Sequence, residues 1–257
     1  MLAVERRHEI VAVVNREGSI RVTELAKRFQ VTEETIRYDL KKLESKGKLL
    51  RSHGGAVTVK KDPEQEMPFQ EREIKNVAEK KAIAREAVKK VEEGDTILLD
   101  ASTTAWQMAR LLPDMRLTVL THSIKVAMEL ADHLHVRVIS TGGALSPQSL
   151  SFIGPLAERS LEGYHVNKLF FSCGGADVQY GLSDSNEWQA TLKHRMISIA
   201  DYSYLLVDHS KFGVKAFKVF SDFRDLDEVI TDDQTAPSVL KELEKTGLPV
   251  QTVSIAE

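Results

Sequence analysis

Along the first sixty residues apolar positions recur with a helical period. Arg6 to Glu17 brings Ile10 and Val14 onto one face, and Gly18 ends that pattern. TELAKRF then turns Leu25, Ala26 and Phe29 inward, with Thr23 expected as its N-cap. Gln30 and Val31 make a tight turn. Thr32 is placed to cap a third helix, whose dipole suits Glu33 and Glu34. In that helix Ile36, Leu40 and Leu43 stand at i, i+4 and i+7, which is one stripe. Opposite the stripe lie Glu34, Tyr38, Lys41 and Ser45, flanked by Arg37 and Lys42. After Gly47, KLLRSH and AVTV read as two short strands turning at Gly54 and Gly55. Three helices and a hairpin describe a winged helix-turn-helix domain, expected over residues 1–59.

The pattern then changes. KKDPEQEMPFQEREIK, residues 60–75, is charged, broken by Pro63 and Pro68, and expected to be a linker. Over residues 76–257 short apolar runs alternate with helical periods: TILLD, LTVLT, VRVIST, KLFFSC, YLLVD, EVITD and PVQTVSI, with helices between most of them. Apolar strands alternating with helices predict an α/β domain with a mostly parallel sheet covered on both faces, Rossmann-like in plan.

Composition narrows the function classes. The 257 residues allow two domains with real cores. No apolar run approaches the roughly 20 residues needed to span a bilayer. The charged N-terminus, MLAVERRHEI, does not read as a signal peptide, and the lone Cys173 fits a reducing cytoplasm. Net charge is −3, unevenly spread. Residues 1–60 hold 13 Lys and Arg against 8 Asp and Glu, a net of +5; the remainder hold 22 against 30, a net of −8. A basic front joined to an acidic body implies that only the front meets a polyanion.

The third helix carries what a major groove demands. Arg37 can fork onto guanine or phosphate, Tyr38 can stack or donate, and Thr35 can meet a thymine methyl or a phosphate. Lys41 and Lys42 suit phosphates, Glu34 serves cytosine or the helix dipole, and Thr32 begins the helix. Arg51 and His53 lie on the hairpin, as a wing approaching the backbone would require.

Those residues are similar to a known family. VTEETIRYDLKKLESKGKLLRSHGGA resembles the recognition helix and wing of the DeoR family of bacterial transcriptional regulators, and Arg6, Ile10 and Val14 keep that family's spacing. Tyr38 departs from it, standing where a second arginine is usual. The resemblance continues through Pro68–Phe69, Arg72, Asn76, Glu79–Lys80 and Ile83–Ala84. It implies a second domain that senses a sugar phosphate, similar in fold to ribose-5-phosphate isomerase.

Ligands of open α/β sheets sit at the carboxyl ends of strands, and short hydroxyls with free N–H groups suit phosphate there. LLDASTTAW places Asp100, Ser102, Thr103 and Thr104 at one such end, Asp100 accepting a sugar hydroxyl or holding the loop. Thr121 and Ser123 repeat the arrangement, and Gly142 and Gly143 follow a third strand. By the resemblance, GGAD and DHSK line the sugar. Asp177 would bind hydroxyls, Lys193 and Lys211 would face phosphate or ring oxygens, and Glu187 stands where the family carries a glutamate. Histidines do not cluster with carboxylates or cysteine at ligand spacing, so no metal site is expected. No cofactor is expected, and with no matching base motif no catalytic residue either.

The expectation is a regulator, acting as a repressor of sugar catabolism, that binds double-stranded operator DNA as a homodimer or homotetramer and answers to a phosphorylated sugar. The rival is a sugar-phosphate isomerase fused to a DNA-binding domain, with Asp184 or Glu187 as base.

Overall fold

A computed structural model of the chain describes residues 2–45, 47–52, 54–57 and 66–255. The chain divides into two compact units between Asp62 and Pro63. Residues 60–65 of the expected linker lie outside the described residues.

The first unit contains α1 (Ala3–Glu17), β1 (Ser19–Arg21), α2 (Val22–Phe29), α3 (Glu33–Glu44), β2 (Leu50–Ser52) and β3 (Gly55–Val57). Of the residues expected inward, Ile10, Val14, Leu25, Ile36, Leu40 and Leu43 are buried together and joined by Leu49, while Ala26 and Phe29 are only partly buried. Thr32 caps α3, its hydroxyl accepting from Thr35 N at 3.2 Å. Arg21, not Thr23, precedes α2, because Ser19–Arg21 is first drawn into the wing as a strand. That sheet runs β1-β3-β2. Gly55 is required where β3 crosses β1, since a Cβ there would meet Ile20 O at 2.3 Å.

The second unit begins earlier than expected. α4 (Phe69–Glu73) lies inside the segment assigned to a linker and folds there because Phe69 is fully buried. Then follow α5 (Val77–Val88), β4 (Thr96–Leu99), α6 (Thr103–Ala109), β5 (Leu117–Thr121), α7 (Ile124–Glu129), β6 (Val136–Ser140), β7 (Ala144–Ser146), β8 (Ser151–Ile153) and α8 (Pro155–Arg159). The chain continues with β9 (Val166–Phe171), β10 (Gly175–Asp177), β11 (Gly181–Asp184), α9 (Glu187–Ser198), β12 (Ala200–Leu206), β13 (Lys218–Ser221), β14 (Glu228–Asp232), α10 (Pro237–Lys245) and β15 (Val250–Val253).

The main sheet, β15-β14-β12-β9-β4-β5-β6, is parallel throughout. Alternate residues of each strand enter opposite cores. Leu98, Leu120, Leu169, Phe171 and Leu205 pack with α8, α9 and α10, while Ile97, Leu99, Val119, Phe170 and Leu206 pack with α5, α6 and α7. Burial on both faces is why the strands read as continuous apolar runs. Strand order reverses between β4 and β9, which makes the crevice outside their carboxyl ends the natural ligand position. The β7–β8 hairpin and the small β10-β11-β13 sheet flank that end.

Candidate functional site

In the first unit α3 presents two unlike faces. Ile36, Asp39, Leu40 and Leu43 are buried, whereas Glu34, Arg37, Tyr38, Lys41 and Lys42 are exposed and Thr35 is half-buried. Asp39 fixes the angle between α1 and α3. It is 1% exposed, accepts from Arg6 Nε at 2.7 Å, and lies 3.1 Å from Arg7 Nε without the alignment of a hydrogen bond. On the open face Arg37 reaches back to Glu33 at 2.7 Å, and the Lys42 ammonium lies 4.8 Å from the Tyr38 ring centre. Arg51 is held against α3, its backbone and Nε both donating to Glu44. Exposed pairs of this kind contribute roughly 0–1 kcal/mol, so a phosphate can displace Glu33 or Glu44 at little cost. His53 lies outside the described residues.

In the second unit ion-paired side chains gather at the reversal point. Lys193 on α9 is 6% exposed, donates to Asp184 at 2.7 Å and to Ser172 O at 2.6 Å, and lies 3.4 Å from Asp100. Burial works against its charge, but Asp184 and Asp100 outweigh burial and hold the ammonium above the usual lysine range. Asp100, fully buried, also accepts from Ser102 N at 3.0 Å and Ser172 N at 3.1 Å, tying the ends of β4 and β9 together. Ser102 and Ser123 cap α6 and α7, accepting from Ala105 N and Val126 N. The Thr121 hydroxyl donates to Leu99 O and accepts from Ser123 N. Thr103 and Thr104 are buried in the first turn of α6.

A second polar cluster lies beside the first. The Gln189 amide on α9 donates to Ser149 and Ser151 of the hairpin, both at 2.9 Å, and its oxygen faces His122 Nε2 at 3.2 Å. Burial pushes His122 down to about 4, so it is neutral at physiological pH. Around this end runs a strap, residues 66–76. Phe69 N donates to Gln148 O of the hairpin, and the Phe69 ring meets Trp106 of α6 edge-on at 5.7 Å. Lys80 Nζ donates to Arg72 O and Lys75 O, and Asn76 Nδ2 to Asp208 Oδ1 at 2.7 Å. The strap is therefore pinned to the hairpin, to α6 and to the loop after β12.

Comparison with known proteins decides the family. Residues 6–62 match the DeoR-like helix-turn-helix domain, and residues 75–233 match the DeoR C terminal sensor domain. The chain belongs to the DeoR family. It is a transcriptional regulator with a DNA-binding helix-turn-helix domain and a sensor domain. It is 55% identical to the uncharacterized HTH-type transcriptional regulator YulB of Bacillus subtilis, over 100% of this chain and 99% of that protein. It is 37% identical to the L-fucose operon activator of Haemophilus influenzae, over 92% and 94% of the two chains. With the lactose phosphotransferase system repressor of Staphylococcus epidermidis it shares 33% identity over 97% and 98%. Ribose 5-phosphate isomerase A from Methanocaldococcus jannaschii overlays 52% of this chain and 53% of its own, with TM-score 0.39 and 20% identity.

The DeoR sensor domain places the expected site residues unequally. Asp100, Ser102, Thr103, Thr104, Thr121 and Ser123 come together at the ends of β4 and β5, and Gly142 and Gly143 follow β6 beside them. Gly143 answers to packing, since a Cβ would meet Ile153 O at 2.7 Å at a φ of +138°. Lys193 does not face an open anion position, because two carboxylates already hold it. Asp177 caps a turn, accepting from Gln179 N and Tyr180 N. Glu187 is exposed at the start of α9, because its neighbours Gln189 and Ala190 take the buried face. Lys211 is half-buried in a short 3-10 turn capped by Asp208. The polar cluster of His122, Gln189, Ser149 and Ser151 was not foreseen from the sequence. A surface depression lined by Arg116, His135 and Arg137 lies at the opposite ends of β5 and β6. No described helix is long and apolar enough to cross a membrane.

Proposed function

We propose that this DeoR-family regulator controls a sugar-catabolism operon as a repressor, and that a phosphorylated sugar bound at the carboxyl ends of β4, β5 and β6 relieves repression. The reading is carried by one observation: the strand-order reversal of the sensor sheet carries buried hydroxyls and paired charges, on a chain that also bears an exposed basic recognition helix. The effector phosphate is assigned to the Ser102–Thr104 turn and the Thr121–Ser123 turn, with Gly142 at their side. Asp100 and Lys193 hold these loops in register, and Lys211 and Asp177 flank the sugar. Arg37, Tyr38 and Thr35 read bases, while Thr32, Lys41, Lys42 and Arg51 meet phosphates, Glu34 accepts from cytosine, and His53 lies on the wing. One winged helix touches few bases, so a homodimer or homotetramer on repeated half-sites is the working form.

The isomerase reading is less well supported. A base at the sugar C2 needs a free carboxylate, whereas Asp184 is ion-paired and Glu187 stands in solvent. The test is a mobility-shift titration of duplex DNA from the regulator's own upstream region at low salt, repeated with triose, pentose and hexose phosphates. Binding that one sugar phosphate abolishes is expected. Failure to bind any duplex, or binding indifferent to every compound, would refute the proposal. Running the effective compound with the protein in heavy water should leave no deuterium at C2.

A further inference from the structure

Among the described residues the sensor domain contains four buried polar side-chain atoms with no hydrogen-bonding partner: Glu66 Oε2, His122 Nδ1, His133 Nδ1 and Thr141 Oγ1. His122 is fully buried and Thr141 is 5% exposed, so neither is a solvated surface group. Buried polar atoms are nearly always paired, and an unpaired one calls for a partner from outside the chain. Glu66, His122 and Thr141 belong to one region, while His133 lies apart from them, between α7 and β6. Thr141 N donates to Thr121 O, in the residue preceding His122. The strap that carries Glu66 reaches the same hairpin as His122: Phe69 N donates to Gln148 O, and the adjoining Ser149 accepts from Gln189, whose oxygen faces His122.

Hydrogen-bonding capacity indicates what fits there. Arg72 pairs with Glu66, and Lys193 with Asp100 and Asp184, so these charges are partnered within the corner. The Gln189 amide hydrogens go to Ser149 and Ser151, so its oxygen accepts from His122 Nε2–H and leaves Nδ1 of the neutral ring as an acceptor; a sugar hydroxyl can donate to that nitrogen or to the Glu66 carboxylate oxygen. Burial raises the pKa of Glu66 and Arg72 opposes that shift, so a hydroxyl donor is a better partner than water-deprived isolation. Arg72 Nη2 holds the other oxygen, Oε1, at 3.4 Å, which leaves Oε2 for the ligand.

We propose that Glu66 Oε2, His122 Nδ1 and Thr141 Oγ1 form the hydroxyl-recognising end of the effector site, and that Glu66 makes the strap a direct ligand contact. This deepens the reading of the sensor site given above and rests on it. Its consequence is regulatory. Glu66 is the fourth residue of the second unit. An effector that grips Glu66 therefore acts directly on the strap at the start of that unit.

The test is titration calorimetry on the full chain and on Glu66→Ala and Glu66→Gln, using inorganic phosphate, the sugar phosphate found effective in the panel, and its deoxy analogues. Loss of a charged hydrogen bond predicts roughly 10- to 100-fold weaker binding of the sugar phosphate to Glu66→Ala, with binding of inorganic phosphate unchanged. Glu66→Gln, which keeps an acceptor oxygen, should lose less. One deoxy analogue should bind the wild type and Glu66→Ala alike, because the contacted hydroxyl is already gone. Equal binding of the sugar phosphate by the wild type and both variants overturns the proposal while leaving the sensor reading intact. A wild-type protein that binds no member of the panel overturns both.

Discussion

His122 shows how much one buried group contributes to the sensor domain. Its ring is fully enclosed, its Nε2 faces Gln189, and burial depresses its pKa to about 4. The unfolded chain takes up that proton near 6.5, so as pH falls the unfolded state gains protons first. Stability that this histidine contributes above pH 6.5 is therefore lost progressively down to about pH 4. Between pH 7.5 and 5 the wild type should lose about 2 kcal/mol from this group alone. Urea unfolding at both pH values checks it. The His122→Gln variant should lose about 2 kcal/mol less over the same interval, and an equal loss would show that the ring is already solvated. None of this was legible in the sequence, where THS reads as a helix cap. Lys193 was singled out, but its two acid partners lie 9 and 93 residues before it, and no local period records such distances.

At the scale of elements, α3 was legible almost residue by residue. A helix buried on one stripe must leave the opposite stripe open, and Arg37, Tyr38, Lys41 and Lys42 are there. Arg37→Ala should weaken operator binding by about 1–3 kcal/mol, with affinity for unrelated duplex nearly unchanged. Competition mobility shifts measure that ratio, and an unaltered ratio would remove Arg37 from base reading. The strands of the main sheet were legible for a related reason, since burial on both faces leaves an apolar run of characteristic length. What escaped were the elements without a run. β1, β7, β8 and β10 are three residues each, too short for a period to declare itself. The strap was misread because prolines and charges dominate KKDPEQEMPFQEREIK. Its fold depends on a single aromatic, Phe69, and on cations gathered around that ring: Arg72 at 5.7 Å and Lys125 at 5.6 Å.

At the scale of the whole chain, regulation requires that the effector bind the operator-bound and released forms with different affinity, a coupling of typically about 1–3 kcal/mol. The charge distribution divides the labour, with the basic residues 1–60 meeting DNA and the acidic remainder holding the effector. Thr103→Asp separates the two. Thr103 is 4% exposed, in the first turn of α6, directly after the Ser102 cap and three positions beyond Asp100. A carboxylate there would stand beside the place assigned to phosphate, in a buried turn with no cation of its own to neutralise it. Effector affinity should fall by more than 100-fold through like-charge repulsion, and operator affinity without effector should stay within about twofold. The variant would thus remain on its operator at sugar-phosphate concentrations that release the wild type. Thr103→Val, which removes the hydroxyl without adding charge, should respond with only a modest shift in midpoint. If Thr103→Asp, folded by its thermal transition, still released DNA at the wild-type concentration, the phosphate would have to sit away from α6. The ends of β12 and the turn holding Lys211 would then be the remaining position for it.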